Sequence, residues 1–356
     1  MSDALKPLRE KIDTLDNQIL ELLNERAKVV LEVGKTKQGS KSAYYVPSRE
    51  QAIYERLRQS NPGPFPSEAI QRVFREIISA SLALEQPMKV AFLGPQATFT
   101  HVAAMQQFGL SAQLVPQKSI SAVFDEVARG RANYGVVPVE NSNEGVVTHT
   151  LDMFMESDLK IYAEILQEIS HDLLSLTARM SDIERVYSHP QALGQCRKWL
   201  EENLPDVPLI DVASTAAAAQ LAAGDKSAAA IASAAAGAQY DLQQVKANIA
   251  DNPSNFTRFL VISNQIPAPG GHDKTSILFL IKDEPGILLR MLEPFSKRGI
   301  NLSKIESRPL KKRAWEYIFF LDIEGHIETA EVHDAVEELG NYCQFIKVLG
   351  SYPRAV

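Results

Sequence analysis

Apolar positions along the first 87 residues recur with a helical period. Leu5, Leu8, Ile12, Leu15, Ile19, Leu22, Val29 and Val33 follow one another at intervals alternating between three and four, with Arg26 filling the one polar place. That spacing predicts a heptad seam on one long helix. Pro47-Ser48-Arg49-Glu50-Gln51 predicts the start of a second helix, with Ser48 and Gln51 in a capping-box pattern, and Asn61-Pro62-Gly63-Pro64 stops it. A third helix is predicted from Ser67 to Gln86, with Ile70, Phe74, Ile77, Ser81 and Leu84-Glu85 on one side. From Met88 the pattern changes: apolar runs of strand length alternate with helical stretches as far as Ser263, the order of an α/β domain. Pro267 to Gly271 reads as a linker. Beyond it come a strand (Thr275–Ile281), a helix to Arg298, strands Ile300–Arg308 and Trp315–Ile323, a helix Glu328–Leu339 and a strand Tyr342–Leu349. That βαββαβ order is ferredoxin-like. The chain is therefore read as multidomain: an all-α domain over 1–87, an α/β domain over 88–268 and a ferredoxin-like domain over 272–356.

Three helices in so short a segment bury little surface alone, so an apolar seam of this length predicts a partner helix from a second subunit. Arg26 inside the seam needs an anion. Lys37, eleven residues later, shares its face at about 16 Å. A structural ion pair with a neighbouring glutamate and a ligand site both remain open here. Arg9 points about a quarter turn away and cannot join the same pocket within one helix.

A net charge of −7 argues against a nucleic-acid partner, so an anionic substrate must be met by local cations. Two cysteines, Cys196 and Cys343, suit a reducing compartment. No Cys/His cluster has metal spacing, the N-terminus lacks an apolar signal core, and no apolar run approaches the roughly 20 residues of a membrane span. A cytoplasmic protein without metal or cofactor is expected.

Candidate chemistry lies at strand ends. Tyr134 to Val139 is a buried-strand pattern that breaks into Glu140-Asn141-Ser142-Asn143 and then a helical stretch. Similar polar strand ends recur at Ser188-His189, Ser214-Thr215 and Asn255 to Arg258. Open α/β sheets place ligands at the carboxyl ends of their strands.

These residues also carry family resemblances. The helical segment resembles the all-helical chorismate mutase domain of bifunctional phenylalanine-pathway proteins through Leu8-Arg9-Glu10-Lys11-Ile12, Asp16, Arg26, Gly34-Lys35-Thr36-Lys37 and Arg49-Glu50. The resemblance implies a dimer whose sites are shared. Arg9, from the other subunit, and Arg26 would clamp the two substrate carboxylates, Lys37 would reach the ether oxygen, and Glu50 the ring hydroxyl. Arg49 and Ser81 would contact substrate, and Glu85 stands where some members carry a glutamine that donates to the ether oxygen. Val46 stands where an aspartate is often found.

The middle segment resembles prephenate dehydratase over essentially its whole length, through Gly94-Pro95-Gln96-Ala97-Thr98-Phe99-Thr100, the run from Gly135 to Asp152, Ser188-His189-Pro190-Gln191-Ala192-Leu193, Asp211 to Ala216 and Asn255-Phe256-Thr257-Arg258-Phe259. The implied fold is two-lobed α/β, like a periplasmic binding protein. In the implied reaction Thr257 is the catalytic hydroxyl, donating to the departing hydroxide. Glu140, Asn141, Ser142, Ser188, His189, Gln195, Ser214, Thr215, Arg258 and Phe259 are the implied substrate-binding set. For Arg258, a charge offered to substrate and a structural ion pair are both open; for His189, so are an acid and an orienting group.

The last segment resembles an ACT regulatory domain. Gly286-Ile287-Leu288-Leu289 and Glu306-Ser307-Arg308-Pro309 match the phenylalanine-binding motifs, with Asn301 beside them, although the first motif more often reads with Ala and Val. Together the resemblances imply a bifunctional enzyme that converts chorismate to prephenate and prephenate to phenylpyruvate, inhibited by phenylalanine and assembled as a homodimer or larger homo-oligomer. Two rivals are a dehydratase whose helical segment only dimerises, which Val46 favours, and a non-catalytic amino-acid sensor, which Thr257 beside Arg258 argues against.

Overall fold

The computed structural model describes residues 5–37, 45–281, 284–309 and 317–355, without the side chain of Lys37. The chain forms two compact units, Met1–Met88 with Phe108–Gln113, and Lys89–Gln107 with Leu114–Val356.

In the first unit α1 (Lys6–Lys37) is an unbroken helix of 32 residues, followed by α2 (Pro47–Gln59) and α3 (Ser67–Glu85). Pro47 is the first residue of α2, where its missing N–H would be unpaired anyway, and Val46 precedes it without a side-chain cap. Ser48 thus lies inside the first turn and the expected Ser48–Gln51 capping box does not form. Gly34 of α1 is buried against Glu85 of α3; a Cβ there would lie 3.2 Å from Glu85 Cγ. Most of the α1 seam is uncovered, Leu8, Ile12 and Ile19 being 58, 56 and 56% exposed.

From residue 89 the elements run β1 (Lys89–Leu93), α4 (Phe99–Phe108), β2 (Gln113–Gln117), α5 (Ile120–Ala128), β3 (Tyr134–Asn141), β4 (Gly145–Val146), α6 (Thr148–Glu156), β5 (Lys160–Glu168), β6 (Asp172–Ser175), β7 (Arg185–Ser188), α7 (Pro190–Gln195), α8 (Arg197–Asn203), β8 (Leu209–Asp211), α9 (Thr215–Ala222), β9 (Ala228–Ala232), α10 (Ala234–Gln239), β10 (Gln243–Lys246) and β11 (Phe256–Ser263). They build two sheets, ordered β2-β1-β3-β11-β5, with β4 on β3, and β10-β6-β9-β7-β8. The chain crosses between the sheets twice, from β5 to β6 and from β10 back to β11. Alanine-rich α9 and β9 pack as one core, Ala216, Ala218, Ala219, Ala228, Ala230 and Ala232 being inaccessible.

The last segment comprises β12 (Asp273–Ile281), α11 (Ile287–Lys297), β13 (Leu302–Pro309), β14 (Tyr317–Glu324), α12 (Ala330–Gly340) and β15 (Cys343–Pro353), in an antiparallel sheet ordered β13-β14-β12-β15. The expected strand start at Trp315 lies outside the described residues. Both faces of this sheet are covered. Ile277, Phe279, Phe319, Leu321 and Ile323 pack with Met291, Phe295, Val332 and Leu339 of the helices. Leu278, Ile318, Phe320, Leu349 and Tyr352 instead join Leu151, Phe154, Leu159, Ile161, Leu260 and Ile262 in one core. Burial on two faces explains why β12 reads as a continuous apolar run.

Candidate functional site

In the helical unit, α3 offers Ser81 to α1. Ser81 Oγ donates to Ile77 O (2.6 Å) and accepts from Arg26 Nη1 (2.5 Å). Burial, and then the nearby Arg49, lower the pKa of Arg26. Glu50 of α2 is pushed up to about 7 by burial, against the opposing pull of the Tyr54 hydroxyl (3.3 Å) and Arg75. Glu85 Oε2 is buried with no hydrogen-bond partner among the described residues. The helices thus set Arg26 beside both Ser81 and Arg49, and Glu50 beside Tyr54 and Arg75. Tyr54 and Arg75 escaped the sequence reading because nothing in their spacing distinguishes them from surface positions. Arg9 is exposed and, 17 residues before Arg26, lies about 25 Å from it along α1. It is not part of this cluster within the protomer. The Lys37 side chain lies outside the described residues.

In the α/β segment, β11 pairs with β3 and β5 so that Thr257 stands opposite Asn141 on one side and Gln167 on the other, while Arg258 stands opposite Glu140 and Leu166. Directly opposed residues share a sheet face and successive residues alternate, so Thr257, Asn141 and Gln167 form a row on one face. Asn141 Oδ1 accepts from the N–H groups of Asn143 (3.0 Å) and Glu144 (3.1 Å), which fixes the amide. Its Nδ2 therefore donates, to Thr257 Oγ1 and Asn255 Oδ1, both at 2.8 Å. Thr257 accepts, and no acceptor among the described residues takes its own hydrogen, which is left for a ligand. Ser142 binds the Phe256 N–H at 3.0 Å and so holds the same loop. Gln195 Oε1 accepts from Asn255 Nδ2 at 3.0 Å. Gln167, in neither motif and 90 residues from Thr257 in the chain, is seen only once strand register is known.

The structure corrects the expected substrate set, first on the other face. Arg258 spends its guanidinium on Glu164 (2.7 Å), Asp322 (2.7 Å) and the Tyr352 hydroxyl (2.9 Å). Burial works against its charge, but Tyr352, Asp322 and Glu164 outweigh it and raise the pKa. Glu140 accepts from Lys304 Nζ at 2.6 Å. Both point at the C-terminal sheet because pleating turns them away from Thr257 and Asn141. Phe259 is 2% exposed, a core side chain. Ser188 is also withdrawn: it is inaccessible and donates to Ile231 O at 2.7 Å. His189 and Ser214 sit at the carboxyl edge of the parallel strands β7, β8 and β9, where His189 Nδ1 caps α7 and Ser214 Oγ caps α9, with Thr215 opening that helix.

In the C-terminal domain Gly286, at φ +77°, precedes α11 in the left-handed region that favours glycine. Ile287 is buried, whereas Leu288 and Leu289 are 52 and 70% exposed. Along β13 the pleat puts Lys304, Glu306 and Arg308 on one face and Ile305, Ser307 and Pro309 on the other. Arg308 donates to Thr148 O (2.8 Å) and Asp152 Oδ1 (2.9 Å) on α6. Asn301 is exposed and its carbonyl accepts from the Glu324 N–H.

Three family models match in succession: chorismate mutase type II over residues 8–86, prephenate dehydratase over 90–267 and the ACT domain over 275–341. The chain is 53% identical over 358 residues to a bifunctional chorismate mutase/prephenate dehydratase of Aquifex aeolicus, covering 99% of each chain. It is 46% identical over 360 residues to the protein of the same description from Pseudomonas aeruginosa, again covering 99% of each. The crystal structure of prephenate dehydratase from Arthrobacter aurescens, in complex with L-Phe, superposes with a TM-score of 0.69 at 38% identity, covering 75% of this chain and 90% of that one. No described helix is long and apolar enough to cross a membrane. The chain belongs to the bifunctional chorismate mutase/prephenate dehydratase family, with an ACT domain following the dehydratase.

Proposed function

We propose that the two activities divide between residues 1–87 and 88–268, and that 272–356 makes the second answer to phenylalanine. In the mutase Arg26, with Arg9 of a second copy, holds the carboxylates of chorismate. Arg49 and Ser81 steady the substrate, Lys37 serves the ether oxygen with Glu85, and Glu50 meets the ring hydroxyl. The rearrangement needs no nucleophile; it needs a held conformer and positive charge opposite the breaking C–O bond. The exposed α1 seam supports a homodimer, since Arg9 reaches a site only through a partner.

In the dehydratase Thr257 donates its hydrogen to the departing hydroxide of prephenate while carbon dioxide leaves and the ring becomes aromatic. Asn141 and Ser142 hold that end, Gln195 holds Asn255, and Ser214, Thr215 and His189 face the carboxylates from the other sheet. The observation that carries this reading is the locked Asn141 amide, which makes Thr257 an acceptor from the protein and leaves its hydrogen for substrate. Phenylalanine binds at Gly286 to Leu289 with Asn301 and Glu306 to Pro309; the L-Phe complex of the Arthrobacter relative supports the effector. The low cysteine content, two residues in the whole chain, and the biosynthetic relatives support a cytoplasmic protein.

Purified protein supplied with chorismate, then with prephenate, and followed for both products tests the assignment. Arg26→Ala is expected to lower the mutase about a hundredfold or more and spare the dehydratase, and Thr257→Ala the reverse. Loss of both activities from either folded variant would overturn the division.

A further inference from the structure

The hydrogen-bond chain behind Thr257 does not stop at Gln195. Asn255 Oδ1 accepts from Asn141, so Asn255 must turn its Nδ2 to Gln195 Oε1. Gln195 accepts there, so its Nε2 faces Glu144 Oε1 at 3.2 Å. The second group on Gln195 Oε1 is His171 Nε2, at 2.9 Å. Because that oxygen can only accept, His171 must carry its hydrogen on Nε2. Donor and acceptor roles are thus determined from His171 to Thr257, through three amides. Backbone N–H groups of Asn143 and Glu144 lock one end of the chain, and His171 locks the other.

The place of His171 gives the chain a purpose. Residues 169–171 carry the polypeptide from β5 in the first sheet to β6 in the second, and Asn255 lies on the return crossing into β11. Gln195 belongs to α7, beside the second sheet. The His171–Gln195–Asn255 bonds therefore tie both crossings to a helix of the second lobe. His171 is 3% exposed, with Phe99 edge-on at 5.6 Å, and its Nδ1 has no partner among the described residues. Without the Nε2 hydrogen, Gln195 is held, among the described residues, only by Asn255 and by its exposed 3.2 Å bond to Glu144, and a turned amide becomes easier to reach. Asn255 would then face a donor and could no longer keep its own oxygen toward Asn141.

We propose that His171 is a positioning residue of the dehydratase: it touches no substrate, and it holds Gln195, Asn255 and Asn141 in the one arrangement that presents the Thr257 hydroxyl. The proposal rests on Thr257 being the proton donor. A small displacement of such a group is enough to lower the rate of the chemical step while binding persists.

The test uses the full-length enzyme and follows both activities, the mutase serving as the internal control. His171→Leu is expected to lower the dehydratase kcat about tenfold or more, with KM within about twofold and the mutase unchanged. His171→Gln, which can set an amide nitrogen near the place of Nε2, is expected to recover most of the loss. His171→Asn, whose nitrogen lies at the Nδ1 position, should not, and it replaces His171→Leu should that variant fail to fold. In an Asn255→Ala background, where the chain is already cut, His171→Leu should cost less than about twofold. Retained kcat in both loss variants, a rise confined to KM, no recovery with Gln, or full additivity with Asn255→Ala would each overturn the proposal. Thr257→Ala separates the two levels. If it keeps kcat, the underlying reading fails; if it loses kcat while the His171 variants keep theirs, only the role of His171 fails.

Discussion

Replacing Asn141 by aspartate changes one NH2 to an oxygen and almost nothing in shape, yet it should disable the dehydratase. Asn141 Nδ2 supplies the hydrogens that satisfy Thr257 Oγ1 and Asn255 Oδ1. A carboxylate can only accept, so in Asn141→Asp the Thr257 hydroxyl turns its own hydrogen inward to meet it. The substrate then faces a lone pair where it needs a donor. Loss of one donor to the developing charge lowers kcat by about 10²–10³, or roughly 3–4 kcal/mol of barrier. The fold should suffer less. Facing Asn255 Oδ1 with another oxygen costs about 1–3 kcal/mol, while the N–H groups of Asn143 and Glu144, now bonded to a charged acceptor, return a similar amount. The expected result is a folded protein with normal mutase turnover, near-normal KM for prephenate and a collapsed dehydratase kcat. Asn141→Ala, which takes no hydrogen from Thr257, should retain more activity. A kcat for Asn141→Asp within about threefold of wild type would show that Thr257 does not donate from this arrangement.

Burial lowers the pKa of His171 below the ordinary histidine value of 6.5, with the Gln195 bond and Asp172 opposing it. The unfolded chain therefore takes up a proton there that the folded chain refuses, and stability present above about pH 6.5 is lost as pH falls toward the lowered folded value; melting of the dehydratase segment should drop between about pH 7.5 and 5.5 more steeply in wild type than in His171→Gln, and equal slopes would count against it. Leu15→Glu combined with Ile19→Glu on the exposed α1 seam should halve the mass measured by light scattering and abolish the mutase, and an unchanged mass would show that another surface holds the oligomer. Lys304→Met removes the bond to Glu140 and should raise the phenylalanine concentration for half-inhibition severalfold, within the roughly 1–3 kcal/mol typical of such linkage, with uninhibited turnover preserved; an unshifted inhibition curve would exclude this contact from the response.

Periodicity made the long helix, the alternating middle segment and the βαββαβ order legible, because each rests on local spacing repeated over many residues. The strands it missed are those without a pattern of their own. Asp172–Ser175 has four residues and Gln243–Lys246 is largely polar; each is a strand only by virtue of its neighbours in the second sheet. Site residues were legible as clusters, not as directions. Glu140 stands next to Asn141, and Arg258 next to Thr257, so proximity in sequence grouped them with the substrate. Strand register, set by pairing more than 100 residues apart, decides that one member of each couple faces the candidate site and the other the C-terminal sheet. His171 and Gln167 were invisible because their partners, Gln195 and Thr257, stand on other elements, 24 and 90 residues along the chain.

Thr257 and Arg258 are joined by one peptide bond, with Cα atoms about 3.8 Å apart, and that neighbourhood fixes how a message from the C-terminal domain must sound. Asp322 and Tyr352 grip Arg258, and a pull on that guanidinium would reach the adjacent hydroxyl through a single peptide unit of β11. No lid has to shut and no substrate contact has to be broken. A displacement well under the length of a bond would move the hydroxyl off its line of approach, and reaction rates are far more sensitive to such misalignment than binding is. Inhibition delivered along this strand would then leave saturation with prephenate nearly as easy as before while turnover slows, the behaviour of a throttle instead of a gate.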